Sequence, residues 1–84
     1  MEQTFYKRIV VRGEPLVFKC NRILTVKGVL YFVHVVDLFH ISHWFSMETE
    51  QDSWYINKPA KVPPWIHAVE RELSAAIIEA NPIP

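Results

Sequence analysis

Histidine and cysteine are the residues of this chain whose side chains could bind a metal ion or attack a substrate. The chain has four histidines and one cysteine, and His40 and His43 form the only close histidine pair. Three residues apart on a strand, their rings point to opposite faces, so they would chelate a metal only in a helix or loop. His34 and His43 could meet across neighbouring strands, but a core histidine bonded to backbone is the commoner arrangement. We therefore predict no metal site.

Nucleophilic catalysis would need Cys20, Ser42 or Ser46 beside a base such as His40, with an acid to orient that base. Cys20 alternates with Phe18 along the chain, which indicates a buried and inert thiol. The two glycines stand apart, so there is no glycine-rich phosphate loop. These patterns predict a protein that is not an enzyme and that holds no cofactor.

The charges are balanced overall but unevenly distributed along the chain. Residues 1–35 carry six basic and two acidic side chains, a net charge of +4, whereas residues 36–84 carry three basic and seven acidic ones, a net charge of −4. Zero net charge argues against non-specific binding of nucleic acid. The basic first half still allows a local binding site. The alternative is that these surface charges serve solubility alone, which is common in small proteins.

The first hairpin is predicted to present a basic, partly aromatic sheet face, which suits single-stranded nucleic acid. Bases stack on aromatic rings while basic side chains follow the phosphates. The competing interpretation is a second apolar layer that packs against a partner subunit or the helix, formed by Tyr6, Tyr31, Val33 and Trp44. The candidate nucleic-acid-binding residues are Tyr6, Arg8, Arg12, Lys19, Arg22, Lys27, Tyr31 and Trp44.

Positioning these side chains requires strands, and the region 3–57 has the alternation and the turn residues of an antiparallel meander. The third strand is apolar on both faces, as in a central strand that is covered twice. Alternation becomes strict from Phe39 onward, which predicts that the fourth strand begins there. The predicted strands span residues 4–11, 16–23, 29–36, 39–48 and 54–56.

A proline-rich linker follows over residues 58–64, and one amphipathic helix is predicted over 64–80. Pro64 suits the first turn of a helix, and Asn81-Pro82 ends it. The helix can lie on its own sheet or reach across to another copy of the chain. The residues predicted to pack in these contacts or in an interface are Trp54, Trp65, Ile66, Val69, Leu73 and Ile77.

The predicted fold is therefore α+β: one domain over residues 1–84, an antiparallel β-meander of four to five strands followed by one C-terminal amphipathic helix. A chain of 84 residues buries only about 60–65% of its unfolded surface, so a homodimer is expected to hide the remaining apolar area. The single cysteine indicates a reducing compartment, the cytoplasm. Neither a signal peptide nor about 18 consecutive apolar residues appears, so no membrane partner is expected.

This order of several strands and then a helix is similar to that of the Whirly and transcriptional-coactivator families of single-strand binders. That resemblance implies dimers with exchanged helices, and it transfers no residue role. From the residues, the leading hypothesis is a small non-catalytic binding or assembly module that acts as a homodimer. The alternative is a single-stranded nucleic-acid-binding protein that uses the basic N-terminal hairpin, and a third is a small-molecule pocket at a dimer interface with a catalytic histidine.

Overall fold

A computed structural model describes residues 3–80 as one antiparallel sheet with two short helices after it. The five strands lie in sequence order, so each pairs with the next along the chain. The meander and the C-terminal helical segment predicted from the sequence are both confirmed. The elements are β1 (Gln3–Val11), β2 (Glu14–Thr25), β3 (Gly28–Val36), β4 (Ser42–Glu50), β5 (Ser53–Ile56), α1 (Pro64–Ala68) and α2 (Glu70–Ala80).

Two of the hairpins are closed by two-residue turns in the left-handed backbone region. Arg12 and Gly13 join β1 to β2 with φ of 52° and 81°, and Gln51 and Asp52 join β4 to β5 with φ of 51° and 68°. Two consecutive positive φ angles match the right-handed twist of the flanking strands and fix their register. Gly28, at φ 123°, follows the turn between β2 and β3, where glycine tolerates a backbone that other residues rarely adopt.

The connection between β3 and β4 differs from the predicted one. The prediction that the fourth strand starts at Phe39 is wrong, because residues 37–41 form a tight turn and the strand starts at Ser42. Asp37 organises this turn: its Oδ1 accepts hydrogen bonds from the backbone N–H groups of Phe39 (2.8 Å) and Ile41 (3.0 Å). An aspartate side chain that bonds backbone two residues on favours a turn over a strand.

The predicted single helix over 64–80 is interrupted at Val69, which has φ −100° and ψ 7°. The Val69 N–H donates to the carbonyl of Ile66, three residues back, at 3.1 Å. This shorter hydrogen bond tightens the turn locally, as in a 3₁₀ segment. Helical hydrogen bonding resumes at once, because the Leu73 N–H donates to the Val69 carbonyl at 3.0 Å.

Both helical pieces lie on one face of the sheet, here called the inner face, and the opposite face is the outer face. The α2 helix contacts β5 and β1 of its own chain, so the helix lies on its own sheet. The core between them is apolar and includes Phe18, Val33, Met47, Ile66, Leu73 and Ile77, each fully buried. No helix within residues 3–80 is long and apolar enough to cross a bilayer.

Side chains of α2 also satisfy the free edge of the sheet at β5. The Trp54 N–H donates to Ser74 Oγ at 2.9 Å, and the Ile56 N–H donates to Glu70 Oε2 at 2.8 Å. These N–H groups point away from β4 and would otherwise have no partner in the ladder. The helix therefore both covers the inner face and closes one edge of the sheet.

Candidate binding face of the sheet

The outer face has no covering element among the described residues, and its side chains follow from the strand register. Cys20 pairs with Val33 and Val33 with Phe45, and all three are buried on the inner face. Because side chains alternate along a strand, the residues next to these three point outward. The outer face of β3 consequently carries Leu30, Phe32, His34 and Val36.

One row of side chains crosses four strands of this face. Tyr6 pairs with Lys19, Lys19 with His34, and His34 with Trp44. We call these four residues the central row. The rings of His34 and Trp44 stack, with centroids 3.8 Å apart and planes inclined by 20°. The ring of Phe32 lies 5.6 Å from that of Trp44 and extends the aromatic surface toward the next row.

Large apolar side chains remain accessible around this row. Tyr6 is 64% exposed, Trp44 58% and Val17 48%. Scattered apolar side chains are ordinary on a protein surface, but a continuous group on one sheet face is typical of an interaction site. The outer face is therefore a candidate interaction surface of the described chain.

His34 adds a polar group that has no partner on this face. Its Nε2 atom is buried and has no hydrogen-bond partner within residues 3–80. An unsatisfied buried polar atom costs about 1–3 kcal/mol, and this nitrogen is covered by the chain itself, so it is not accessible to a docking partner.

Charged side chains lie toward opposite corners of the outer face, here called the basic and the acidic corner. Arg8 and Lys19 lie on β1 and β2, whereas Glu48 and Glu50 lie on β4 and flank Tyr55 of β5. The pKa of Tyr55 is raised, first by desolvation and then by the negative charges of the two glutamates. That electrostatic effect agrees with both carboxylates lying on the same side of the sheet as the phenol.

The candidate nucleic-acid-binding residues do not form one surface. Tyr6, Arg8, Lys19 and Trp44 share the outer face. Assigning Tyr31 to that face was wrong: it is 1% exposed, and its ring packs edge-on against Trp54 in the core at 5.1 Å. The reason is the register, in which Tyr31 pairs with Met47 and shares the inner face with it.

The remaining basic candidates lie elsewhere. Arg22 pairs with Tyr31, which places it at the end of the inner face, and its Nε is buried without a hydrogen-bond partner in the described chain. Arg12 lies in the turn after β1 and Lys27 in the turn after β2, at opposite ends of the sheet. Two of the five basic candidates therefore lie on the outer face, which makes it less basic than the sequence suggests.

The predicted packing residues lie in the contact between the helices and the sheet of the same chain. Trp65 is partly buried, and its ring is 6.4 Å from that of Phe18 and 5.4 Å from that of His43. The other five are buried in the core: Trp54, Ile66, Val69, Leu73 and Ile77.

Within residues 3–80, no side-chain hydrogen bond joins His40 to Cys20, Ser42 or Ser46, the nucleophiles considered for catalysis. Cys20 is fully buried, and desolvation raises the pKa of its thiol to about 12. His40 is exposed in the turn, whereas His43 Nε2 lies 2.8 Å from Asp37 Oδ2 in a part-buried pair. In residues 3–80, no three His, Cys, Asp or Glu side chains converge as a metal site would require.

Sequence reasoning missed three contributors to the outer face: Phe32, His34 and Glu48. Strict alternation with Cys20 and Val33 could have placed the first two, once the two-residue turn at 26–27 was used to set the register. No family model, curated protein or solved structure matches the chain.

Proposed function

We propose that this protein is a non-catalytic binding module that acts as a homodimer joined through the outer face. The observation that supports this most strongly is the central strand β3, which is apolar on both faces but is covered by its own helices on one face only. A chain of this size gains stability by covering the second face. A second copy of the chain is the simplest cover, since a two-fold interface uses the same patch twice.

The size of the outer face suits such an interface. Five strands about 4.8 Å apart, each with about nine residues at about 3.3 Å, present a projected area of about 700 Å². Stable interfaces of standard size bury about 800 Å² per partner. Trp44 and Tyr6 supply the aromatic side chains that are enriched in the cores of such interfaces.

Single-stranded nucleic acid is the second candidate occupant of the same face. The central row favours it, because Lys19 stands between aromatic residues on neighbouring strands. Each base stacked on an aromatic ring contributes about 1–3 kcal/mol. Glu48 and Glu50 oppose this candidate, since they place negative charge on the same face as the phosphates would occupy.

Light scattering behind a sizing column tests the leading proposal. The wild-type chain is expected at about twice its mass of 9.9 kDa. Val17→Glu puts a charge into the proposed interface and should yield a monomer, whereas Val26→Glu, in the exposed turn after β2, should remain a dimer. A wild-type monomer across the micromolar range would contradict the proposal, as would a dimer that tolerates the Val17 variant.

A labelled single-stranded oligonucleotide at low and high salt separates the two candidates. Binding driven by phosphates should weaken steeply as salt rises, whereas apolar self-association should not. Salt-sensitive binding that is lost in the Trp44→Ala variant would favour nucleic acid over a second copy. Absence of binding at low salt would leave the dimer as the function of the face.

A further inference from the structure

The two charged corners of the outer face lie on one diagonal. Lys19 is on β2, in the same row as His34 and Trp44, whereas Glu48 is on β4, four residues beyond Trp44. Two strand spacings of about 4.8 Å and four residues of about 3.3 Å separate the positions by about 16 Å. Arg8 and Glu50 lie farther out toward the same two corners.

Phe32 lies at the midpoint of this diagonal. It is on β3, between the two strands, and it pairs with Ser46. Lys19 lies one row to one side of the Phe32 row, and Glu48 lies one row to the other side. A two-fold axis that exchanges the two corners must therefore pass close to Phe32, the centre of the apolar surface.

The direction of the axis decides what each charge meets in the other copy. An axis parallel to the strands would place Lys19 over Trp44 of the other copy and Glu48 over Ile23. An axis perpendicular to the strands would place Lys19 over Ile23 and Glu48 over Trp44. Both arrangements bury a glutamate against an apolar side chain, which is unfavourable unless the charge is paired.

Only an oblique axis brings the basic corner of one copy against the acidic corner of the other. In this arrangement the strands of one copy cross those of the other at about 70°, which is nearer to the orthogonal class of sheet packing than to the aligned class. We infer that two copies dock through their outer faces in this crossed arrangement, with Arg8 and Lys19 of each copy against Glu48 and Glu50 of the other. This inference rests on the homodimer proposed above and specifies its geometry.

The charges and the apolar centre have different roles in this dimer. Charge pairs at the rim of an interface contribute little affinity but select the orientation, because wrong orientations bring like charges or unpaired charges together. The aromatic surface around Phe32 and Trp44 supplies the affinity. The two-fold symmetry repeats each corner contact, so one sequence change acts twice.

A charge-exchange experiment tests the inference, because the crossed arrangement predicts the behaviour of mixtures. One double variant carries Arg8→Glu and Lys19→Glu, and the other carries Glu48→Lys and Glu50→Lys. In a homodimer of either variant both corners become repulsive, whereas a mixed dimer regains attraction at both corners. Sedimentation velocity of each variant and of the equimolar mixture measures the dimer fraction.

Each variant alone is expected to dimerise at least about tenfold more weakly than wild type, and the mixture to return to within about threefold of it. The matched controls reverse the same number of exposed charges away from the face and should leave dimerisation unchanged: Lys58→Glu with Lys61→Glu, and Glu72→Lys with Glu79→Lys. Circular dichroism checks that every variant is folded.

The outcomes separate this inference from the proposal on which it rests. Weak single variants with recovery in the mixture support the crossed arrangement. A wild-type dimer whose variants still dimerise, or whose mixture does not recover, overturns the arrangement and leaves the homodimer in place. A wild-type monomer overturns both, and an equal effect of the control variants overturns the local role of the corner charges.

Discussion

The hydrogen bond from the Ile56 N–H to Glu70 Oε2 offers the sharpest test of how the helix is held to the sheet. At 2.8 Å it joins the edge strand β5 to the first turn of α2. Hydrogen bonds to charged groups contribute about 1.5–3 kcal/mol. Glu70 is half-buried, so water can replace part of the bond, and the lower end of that range applies. We therefore expect Glu70→Ala to lower the free energy of unfolding by about 1.5 kcal/mol.

Glu72→Ala is the matched control for this variant. Both glutamates lie in the first turn of α2, where each interacts favourably with the helix dipole, but Glu72 is exposed. Urea unfolding at one fixed protein concentration measures both, with an expected midpoint shift of about 1 M or slightly more for the Glu70 variant. Glu70→Gln keeps an acceptor oxygen and should lose less than half as much.

The comparison of the two alanine variants refutes the reasoning if they differ by less than about 0.5 kcal/mol, which is the usual scatter of surface substitutions. Ser74→Ala provides an independent check at the neighbouring bond, which its Oγ accepts from the Trp54 N–H. That bond is neutral, so its loss is expected to cost about 1 kcal/mol.

Two further predictions concern titratable groups. The hydrogen bond from His43 is the main cause that lowers the pKa of Asp37. The ionised Asp37 carboxylate therefore stabilises the folded state above about pH 4, and this stabilisation is lost as the pH falls through the folded-state pKa of Asp37. Asp37→Asn should therefore show a smaller fall in urea midpoint between pH 6 and pH 3 than wild type, whereas Asp52→Asn, in an exposed turn, should not; equal falls in the Asp37 variant and wild type would contradict this. Burial raises the pKa of Cys20 to about 12, so a disulfide reagent at pH 8 should label it only as fast as the chain unfolds, and rapid stoichiometric labelling without urea would contradict this.

The strands and the helical segment could be predicted because their signals are local. Alternation around Phe18 and Cys20, the Arg12-Gly13 turn and Pro64 each act within a few residues of the chain. The strand between Ser42 and Glu50 was also visible from its alternation, although its start was misplaced. The Asp37 side chain accounts for that error, since it bonds two backbone N–H groups that a strand would have used otherwise.

The composition of the outer face could be predicted only in part, because a sheet face depends on register between strands. The sequence interpretation placed Tyr31 beside the outward residues of the first hairpin, although alternation groups it with Val33 and Val35. The pairing of Cys20 with Val33 places Val33, and with it Tyr31, on the inner face. A one-residue slip would move each of these side chains to the other face, so composition alone cannot make the choice. Because the register could not be read from composition, the pairing of Lys19 with His34 in the central row was not predicted either.

The two edges of the sheet differ in what they allow. Ser74 and Glu70 occupy the outward N–H groups of β5, whereas β1 presents a nine-residue strand with nothing paired on its far side within the described chain. A strand from another chain could therefore pair with the sheet at β1, whereas the outward N–H groups of β5 are already bonded. If two copies ever paired through β1, the product would be finite, because its outer ends would both be occupied β5 edges. By accepting hydrogen bonds from the outward N–H groups of β5, the helix side chains therefore remove the second open edge that an endless sheet would need.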